Sequence, residues 1–199
     1  ASGPIVPTPP RCPLAPPPTP LTAIDGLQGA RAVTLSSDGR TVYVGGGLDD
    51  GIAIFSRDVR NGSLKFVGAI GDGDVAYGAA CQVGGVVDGL DGVSDLAGSP
   101  DGVHLYATGE IDDALVVFAR DGLAGDLVYQ QILRDGVGAN GLGNVLGVAI
   151  SPDGKHVYTA AFSDNGVGVF VRNAGTGNLV FDSIKVDGGV EGPLTIDGL

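Results

Sequence analysis

Gly39-Arg40-Thr41-Val42-Tyr43 returns as Gly102-Val103-His104-Leu105-Tyr106 and again as Gly154-Lys155-His156-Val157-Tyr158. The copies lie 63 and then 52 residues apart, and the same offsets hold for the flanking segments. A hydrophobic-acidic-Gly-Leu tag opens each copy, as Ile24-Asp25-Gly26-Leu27, Val87-Asp88-Gly89-Leu90 and the looser Ala139-Asn140-Gly141-Leu142. Ile196-Asp197-Gly198-Leu199 writes the tag once more. A supersecondary unit of this length, repeated in tandem, marks a repeat architecture.

Each copy reads as four short strands. The first strand ends at a tight turn, Ser37-Asp38-Gly39, Pro100-Asp101-Gly102 or Pro152-Asp153-Gly154. Proline presets φ there, Asp bonds back to the backbone and Gly takes positive φ. The second strand carries the Tyr and runs into Asp49-Asp50, Asp112-Asp113 or Asp164-Asn165. The third strand alternates (Ile52 and Ile54, Leu115 and Val117, Val167 and Val169) and closes on Phe55-Ser56-Arg57, Phe118-Ala119-Arg120 or Phe170-Val171-Arg172. A Gly-containing hairpin then feeds Leu64-Lys65-Phe66, Leu127-Val128-Tyr129 or Leu179-Val180-Phe181. No useful stretch has a 3.6-residue period, which excludes helical solenoids. The expected fold is all-β: a β-propeller-type array of three four-stranded antiparallel blades. Three are too few to close alone, because propellers close with about four to eight. The expected units are a Pro-rich extended arm at 1–20, blade repeats at 21–86, 87–138 and 139–195, and the start of an incomplete fourth repeat at 196–199.

Composition narrows the function classes. The net charge of −12 with scattered Lys and Arg argues against nucleic acid. No apolar run approaches the ~20 residues that span a bilayer, and no charged-then-apolar leader is evident. Ala1-Ser2-Gly3 would suit a mature end left by cleavage at small residues. The nine prolines of residues 1–20 favour an extended polyproline conformation. Cys12 and Cys81 are the two cysteines. Paired, they would tie the arm to the first repeat and stabilise it by roughly 4 kcal/mol in the chain-entropy model; two buried free thiols are the alternative. A disulfide would place the chain in an oxidising compartment, so the expected location is extracellular, cell-surface or periplasmic.

Ser151-Pro152-Asp153-Gly154-Lys155-His156-Val157-Tyr158, followed by Asp164-Asn165 and Val169-Phe170-Val171-Arg172, resembles the YVTN/lactonase-like β-propeller repeats. The likeness covers about residues 24–199. It implies the blade fold; members include phosphogluconolactonase-type enzymes, surface-layer repeats and extracellular proteins. No lactonase active-site motif carries over residue by residue.

Repetition sorts the candidate residues. A residue present in every copy builds the blade, whereas a unique site uses positions where copies disagree. His104 and His156 share one repeat position and read as exposed strand residues. Arg57, Arg120 and Arg172 read as bonding strand ends or acidic turns. Gly136-Val137-Gly138-Ala139-Asn140-Gly141 matches a dinucleotide fingerprint formally, but lacks the strand-then-helix context. No G-x-S-x-G elbow, H-E-x-x-H or metal-spaced Cys pair occurs. Asn61-Gly62-Ser63 is a sequon that a hairpin turn explains. The excess length of the first copy falls around Gly71–Gln82, where Asp72 and Asp74, helped by Asp88 or Asp91, could offer oxygens to Ca²⁺.

Pro193-Leu194-Thr195-Ile196-Asp197-Gly198-Leu199 nearly copies the start of the array at 20–27. Unpaired sheet edges invite strand addition. The leading expectation is therefore a non-catalytic, structural or adhesive protein, self-associating into an oligomer or filament through Pro193, Leu194, Thr195, Ile196 and Leu199. The alternative is a lactonase-type or ligand-binding propeller, belonging to a longer chain, with its site where polar residues converge on the axis. If the protein is an enzyme, it is a lactone hydrolase.

Overall fold

The computed structural model describes residues 24–73, 87–120, 125–191 and 194–195. Three antiparallel sheets follow one another. The first contains β1 (Ala30–Leu35), β2 (Thr41–Gly46), β3 (Gly51–Arg57) and β4 (Leu64–Gly71), hydrogen-bonded in that order. The second contains β5 (Val93–Gly98), β6 (His104–Gly109), β7 (Ala114–Arg120) and β8 (Leu127–Asp135), with the short β9 (Gly138–Ala139) added in parallel to β8. The third contains β10 (Val145–Ile150), β11 (His156–Ala161), β12 (Gly166–Arg172) and β13 (Leu179–Val186). A last hairpin pairs β14 (Val190–Glu191) with β15 (Leu194–Thr195). The described residues contain no helix, and the sheets form part of a β-propeller, open rather than closed.

The first strands line the inner edge of the array, since β1 packs on β5 and β5 on β10. The apolar alternation buries Tyr43, Ile52 and Ile54 against Leu96, Leu105 and Val116 between the first two blades. Tyr106, Leu115 and Val117 meet Val148, Val157 and Phe170 between the second and third. Two irregularities recur in every blade. The first strand bulges at Ala30/Ala32, Val93/Asp95 and Val145/Gly147; the third and fourth strands slip at Ile54/Phe55, Val117/Phe118 and Val169/Phe170.

The two ends of the array differ. At the turn end, each Ser-x-Asp-Gly segment closes on itself. The Ser36, Ser99 and Ser151 hydroxyls donate to Asp38, Asp101 and Asp153 at 2.5–2.6 Å. They accept the amides of Thr41, His104 and His156 at 2.9–3.0 Å. The opposite, hairpin end carries the β2–β3, β6–β7 and β11–β12 loops. Asp50, Asp113 and Asn165 adopt φ of 47–51° there, a conformation that short Asp and Asn side chains tolerate.

Adjacent blades are clamped at the turn end. Arg172 Nε donates to Tyr106 Oη at 2.6 Å, Nη1 to the Gly154 carbonyl at 3.0 Å and Nη2 to Asp101 at 2.6 Å. Tyr106 in turn donates to the Gly177 carbonyl at 2.8 Å. One junction earlier, Arg120 bonds Tyr43, Gly102 and Asp38, and Tyr43 donates to Gly125. Glycine is required at 125 and 177, where φ is +77° and +75° and a Cβ would overlap Thr41 and His104 respectively. Tyr43 and Tyr106 are 1% and 0% exposed, whereas Tyr158, with no following described blade, is 37% exposed.

His104 departs from the expectation of an exposed strand residue. It is buried, and its Nδ1 lies 2.9 Å from Arg172 Nη2. A guanidinium can only donate, so Nδ1 accepts and the ring is neutral. Burial and the Arg172 charge both hold its pKa below the ordinary value. His156 is half-buried and lacks this Arg contact among the described residues.

The Arg172 side chain is 1% exposed, so its removal strands several buried acceptors. Arg172→Ala is expected to cost roughly 3–5 kcal/mol in urea unfolding, the range for breaking a buried charged network from one side. Arg57, which bonds Gly39 within its own blade, is expected to cost clearly less as Ala.

Acid acts on the same junctions. Bonds from Ser36 and the Arg40 amide pull the Asp38 pKa down to about 2 from 3.8. A depressed carboxylate contributes stability above pH 3.8 that is lost as pH falls towards 2. His104, also depressed, contributes stability that is present above its ordinary 6.5 and declines as pH falls below it. Asp38→Asn should flatten the lower limb of the stability–pH curve, and His104→Asn the limb below pH 6.5.

Candidate functional site

The first-strand bulges decide which side chains reach the axis. In each blade one residue is left out of the ladder: Arg31, Ser94 and Leu146, at one repeat position. A bulged residue is released from the strict in/out alternation and re-aimed. Ser94 turns to the next blade, donating to the Val145 carbonyl at 2.7 Å. Leu146 stays largely exposed. Arg31 reaches across the hairpin end to Glu110 of the second blade.

Glu110 is the meeting point of all three blades. Its Oε2 pairs with Arg31 Nη1, and its Oε1 accepts from Asn144 Nδ2 at 3.2 Å. Arg31 comes from the first blade, Glu110 from the second and Asn144 from the third. Asn144 holds φ at 48°, and its amide donates to Asp113 Oδ1 at 2.5 Å. Gly47 leaves room for the arginine, since a Cβ there would lie 3.0 Å from Arg31 Nε. Beside the trio stand the exposed Phe162, whose amide donates to the Asn144 carbonyl at 3.1 Å, and Leu146. The ion pair remains reachable from solvent, with side chains 46% and 26% exposed. A carboxylate held by a guanidinium and an amide, with an apolar flank, can orient a polar substrate and accept a proton.

The copies disagree at each of these positions. Arg31 corresponds to Ser94 and Leu146, Glu110 to Gly47 and Phe162, and Asn144 to Gly29 and Gly92. The signal was available in the sequence by aligning the copies position by position. It lies in substitutions within the copies, whereas the length difference between copies points instead to Gly71–Gln82.

The candidate calcium residues meet a different fate. Asp74 lies outside the described residues. Asp72 is brought to Asp88 and Asp112, with one oxygen of each within 4.8 Å of the others. Arg134 already occupies this group, with Nη1 3.0 Å from Asp112 and Nη2 2.5 Å from Asp88. Asp72 accepts the Leu90 amide at 3.1 Å. Nearby, burial and the charges of Asp50, Asp112 and Asp72 raise the Asp91 pKa. Arg134 thus holds Asp88 and Asp112 within the second blade, and Asp72 links the first blade to them through the Leu90 amide. A shallow depression of about 240 Å³ beside it, lined by Asp25, Asp49 and Asp72 among others, sits away from the axial trio.

Cys12 and Cys81 lie outside the described residues, as do Pro193, Ile196 and Leu199. Leu194 and Thr195 form β15, whose ladder is with β14 of the same chain.

No protein-family model matches the chain, and no curated protein matches it. Solved structures do. A protein of Bacteroides fragilis named as a candidate 6-phosphogluconolactonase superposes with a TM-score of 0.63 at 21% identity, over 85% of this chain and 40% of its own. The periplasmic gluconolactonase of Pseudomonas aeruginosa gives 0.62 at 26% identity, over 79% and 39%. A protein of Lactobacillus plantarum gives 0.63 at 19% identity, over 85% and 42%. The chain thus spans about two fifths of the length of these neighbours, and its fold is that of lactonase-like propellers. These neighbours overturn the expectation of an adhesive, self-associating structural protein. The structure gives a physical reason as well: Leu194 and Thr195, expected to pair between chains, make their ladder with β14 of the same chain. Among the described residues no helix is long and apolar enough to cross a membrane.

Removing the cation that stands between Asp88 and Asp112 should expose the repulsion it offsets. Arg134→Ala is expected to lower stability by about 1 kcal/mol, with a larger loss at low salt because screening relieves the clustered carboxylates. Thermal melts at two ionic strengths would show it.

Proposed function

We propose that this chain supplies three blades, at 21–86, 87–138 and 139–195, of a lactonase-type propeller of the YVTN repeat kind. Its activity is hydrolysis of a sugar-derived lactone at Arg31, Glu110 and Asn144. The observation that carries this reading is the convergence of one polar side chain from each blade on a single accessible point. The superposition on a gluconolactonase supports the choice of reaction. Its periplasmic location supports an extracytoplasmic setting, in which Cys12 and Cys81 would be able to pair.

Lactone hydrolysis adds water to an ester carbonyl and opens the ring. Glu110 is placed to take a proton from the attacking water, with Asn144 holding its other oxygen. Arg31, displaced from Glu110 by the substrate, donates to the oxygen that gains charge as the tetrahedral species forms. Collapse breaks the ring C–O bond, and the departing oxygen takes the proton back from Glu110. The product is the open hydroxy acid, and the carboxylate is regenerated. Phe162 and Leu146 offer an apolar flank for the ring's carbon skeleton.

Acid release from D-glucono-1,5-lactone at constant pH, above the spontaneous rate, tests the reading. Glu110→Gln is expected to lower kcat by roughly 10²–10⁴-fold, and Arg31→Ala by roughly 10²–10³-fold. Both positions are partly exposed, so unfolding midpoints should stay near the parent value. A parent protein no faster than buffer would refute the assignment.

A further inference from the structure

We propose that Ser163 is a positioning residue for the axial site: a small side chain at this hairpin tip vacates the space that Asn144 needs to reach Glu110. The assignment rests on the lactonase reading above and concerns how that site acquires its third member.

Two positions of the repeat change together. One is Gly29, then Gly92, then Asn144; the tip residue facing it is Leu48, then Ile111, then Ser163. The same backbone bonds join the two segments in every blade. The amides of Leu48, Ile111 and Ser163 donate to the carbonyls of Gln28, Asp91 and Gly143 at 3.0–3.1 Å. The amides just before them, of Gly47, Glu110 and Phe162, donate to the carbonyls of Gly29, Gly92 and Asn144 at 3.0–3.1 Å.

In the first two blades the large tip side chain lies over the glycine. A Cβ at Gly29 would come within 2.7 Å of Leu48 Cγ, and one at Gly92 within 2.9 Å of Ile111 Cγ1. Both separations are far inside carbon–carbon contact, so these tips admit only glycine. Isoleucine is the stricter of the two, because its paired γ carbons leave χ1 little freedom to swing clear. Serine carries a single γ atom with nothing beyond it, and a Cβ fits opposite. The third blade is where the polar side chain appears.

The backbone of Asn144 is held ready for that side chain. Its φ is 48°, against 67° and 69° at the two glycines, a left-handed conformation that asparagine tolerates better than most residues. Two bonds from the second blade fix the segment. The Asn144 amide donates to Asp113 Oδ1 at 2.5 Å, and the Ser94 hydroxyl donates to the carbonyl of Val145 at 2.7 Å. Ser94 is braced in turn by the buried Thr108, whose hydroxyl oxygen lies 2.8 Å away. With the backbone fixed on both sides and the tip cleared, Nδ2 rests 3.2 Å from Glu110 Oε1. A carboxylate only accepts, so the amide presents its nitrogen there.

The test rebuilds the second blade's pair in the third, measuring turnover of D-glucono-1,5-lactone and thermal unfolding side by side. Ser163→Ala, no larger than serine, is expected to keep the parental kcat. Ser163→Ile is expected to lower kcat roughly 10- to 100-fold with KM within about a factor of two, and to lower the unfolding midpoint. Asn144→Gly combined with Ser163→Ile restores the Gly92/Ile111 arrangement, so its midpoint should return to the parental value while kcat stays low. A merely structural role would bring both back together. Parental kcat in Ser163→Ile, or kcat recovered with the midpoint in the double variant, would overturn the assignment of Ser163 and leave the lactonase reading intact. A parent protein no faster than buffer would overturn both.

Discussion

A buried guanidinium between consecutive sheets is the constraint on which the rest of this molecule depends. A four-stranded sheet of 6–9-residue strands has a flat apolar face and nothing in its own ladder that fixes the angle of its neighbour. Arg120 and Arg172 remove that freedom. Each binds the turn carbonyl of its own blade together with the tyrosine and aspartate of the blade before it. The tyrosine then reaches a glycine carbonyl in the following blade's outer hairpin. Hydrophobic burial provides the larger share of the stabilisation, being proportional to area and indifferent to direction. The clamp provides the direction.

Fixing the blades at one end sets the geometry at the other. The inner strands are held side by side, and residues from three different sheets come within hydrogen-bonding distance at Glu110. A site assembled this way is only as well ordered as its junctions. The hairpin end is joined as well, since the Gly92 amide donates to Asp50 and the Asn144 amide to Asp113 across successive blades, and the unrepeated Arg31, Glu110 and Asn144 side chains meet beside these bonds.

Much of the fold was legible in the sequence because its signals are local and occur three times. The Ser-x-Asp-Gly turns, the Asp-Asp hairpins and the alternation of Ile52 and Ile54 each follow from short-range chemistry. The role of Arg172 was visible only as a preference for strand ends and acids, since its tyrosine partner lies 66 residues away. The burial of His104 was not legible for the same kind of reason: the residue covering it, Gly177, belongs to the next blade. Residues 31, 110 and 144 differ between aligned copies, but their convergence was not legible, because the first-strand bulge that re-aims Arg31 is a backbone event without a residue signature. Ala30-Arg31-Ala32, Val93-Ser94-Asp95 and Val145-Leu146-Gly147 share no pattern that announces it. The meeting of Asp72 with Asp88 and Asp112 was not legible either, because the cation beside them, Arg134, lies on β8, where copies one and three have Gly71 and Val186.

The bulge has an evolutionary consequence. An ordinary strand residue is bound by two obligations, to its cross-strand neighbour and to the buried face beneath it. The extra residue at 31, 94 or 146 has no partner in the ladder. Arginine, serine and leucine occupy the three equivalent slots on one scaffold. Duplication of such a blade copies a vacant address along with the sheet, and drift can fill that address without disturbing the pairing register. A repeat array of this kind has room for new chemistry one blade at a time, while the arginine clamps at its other end stay in place.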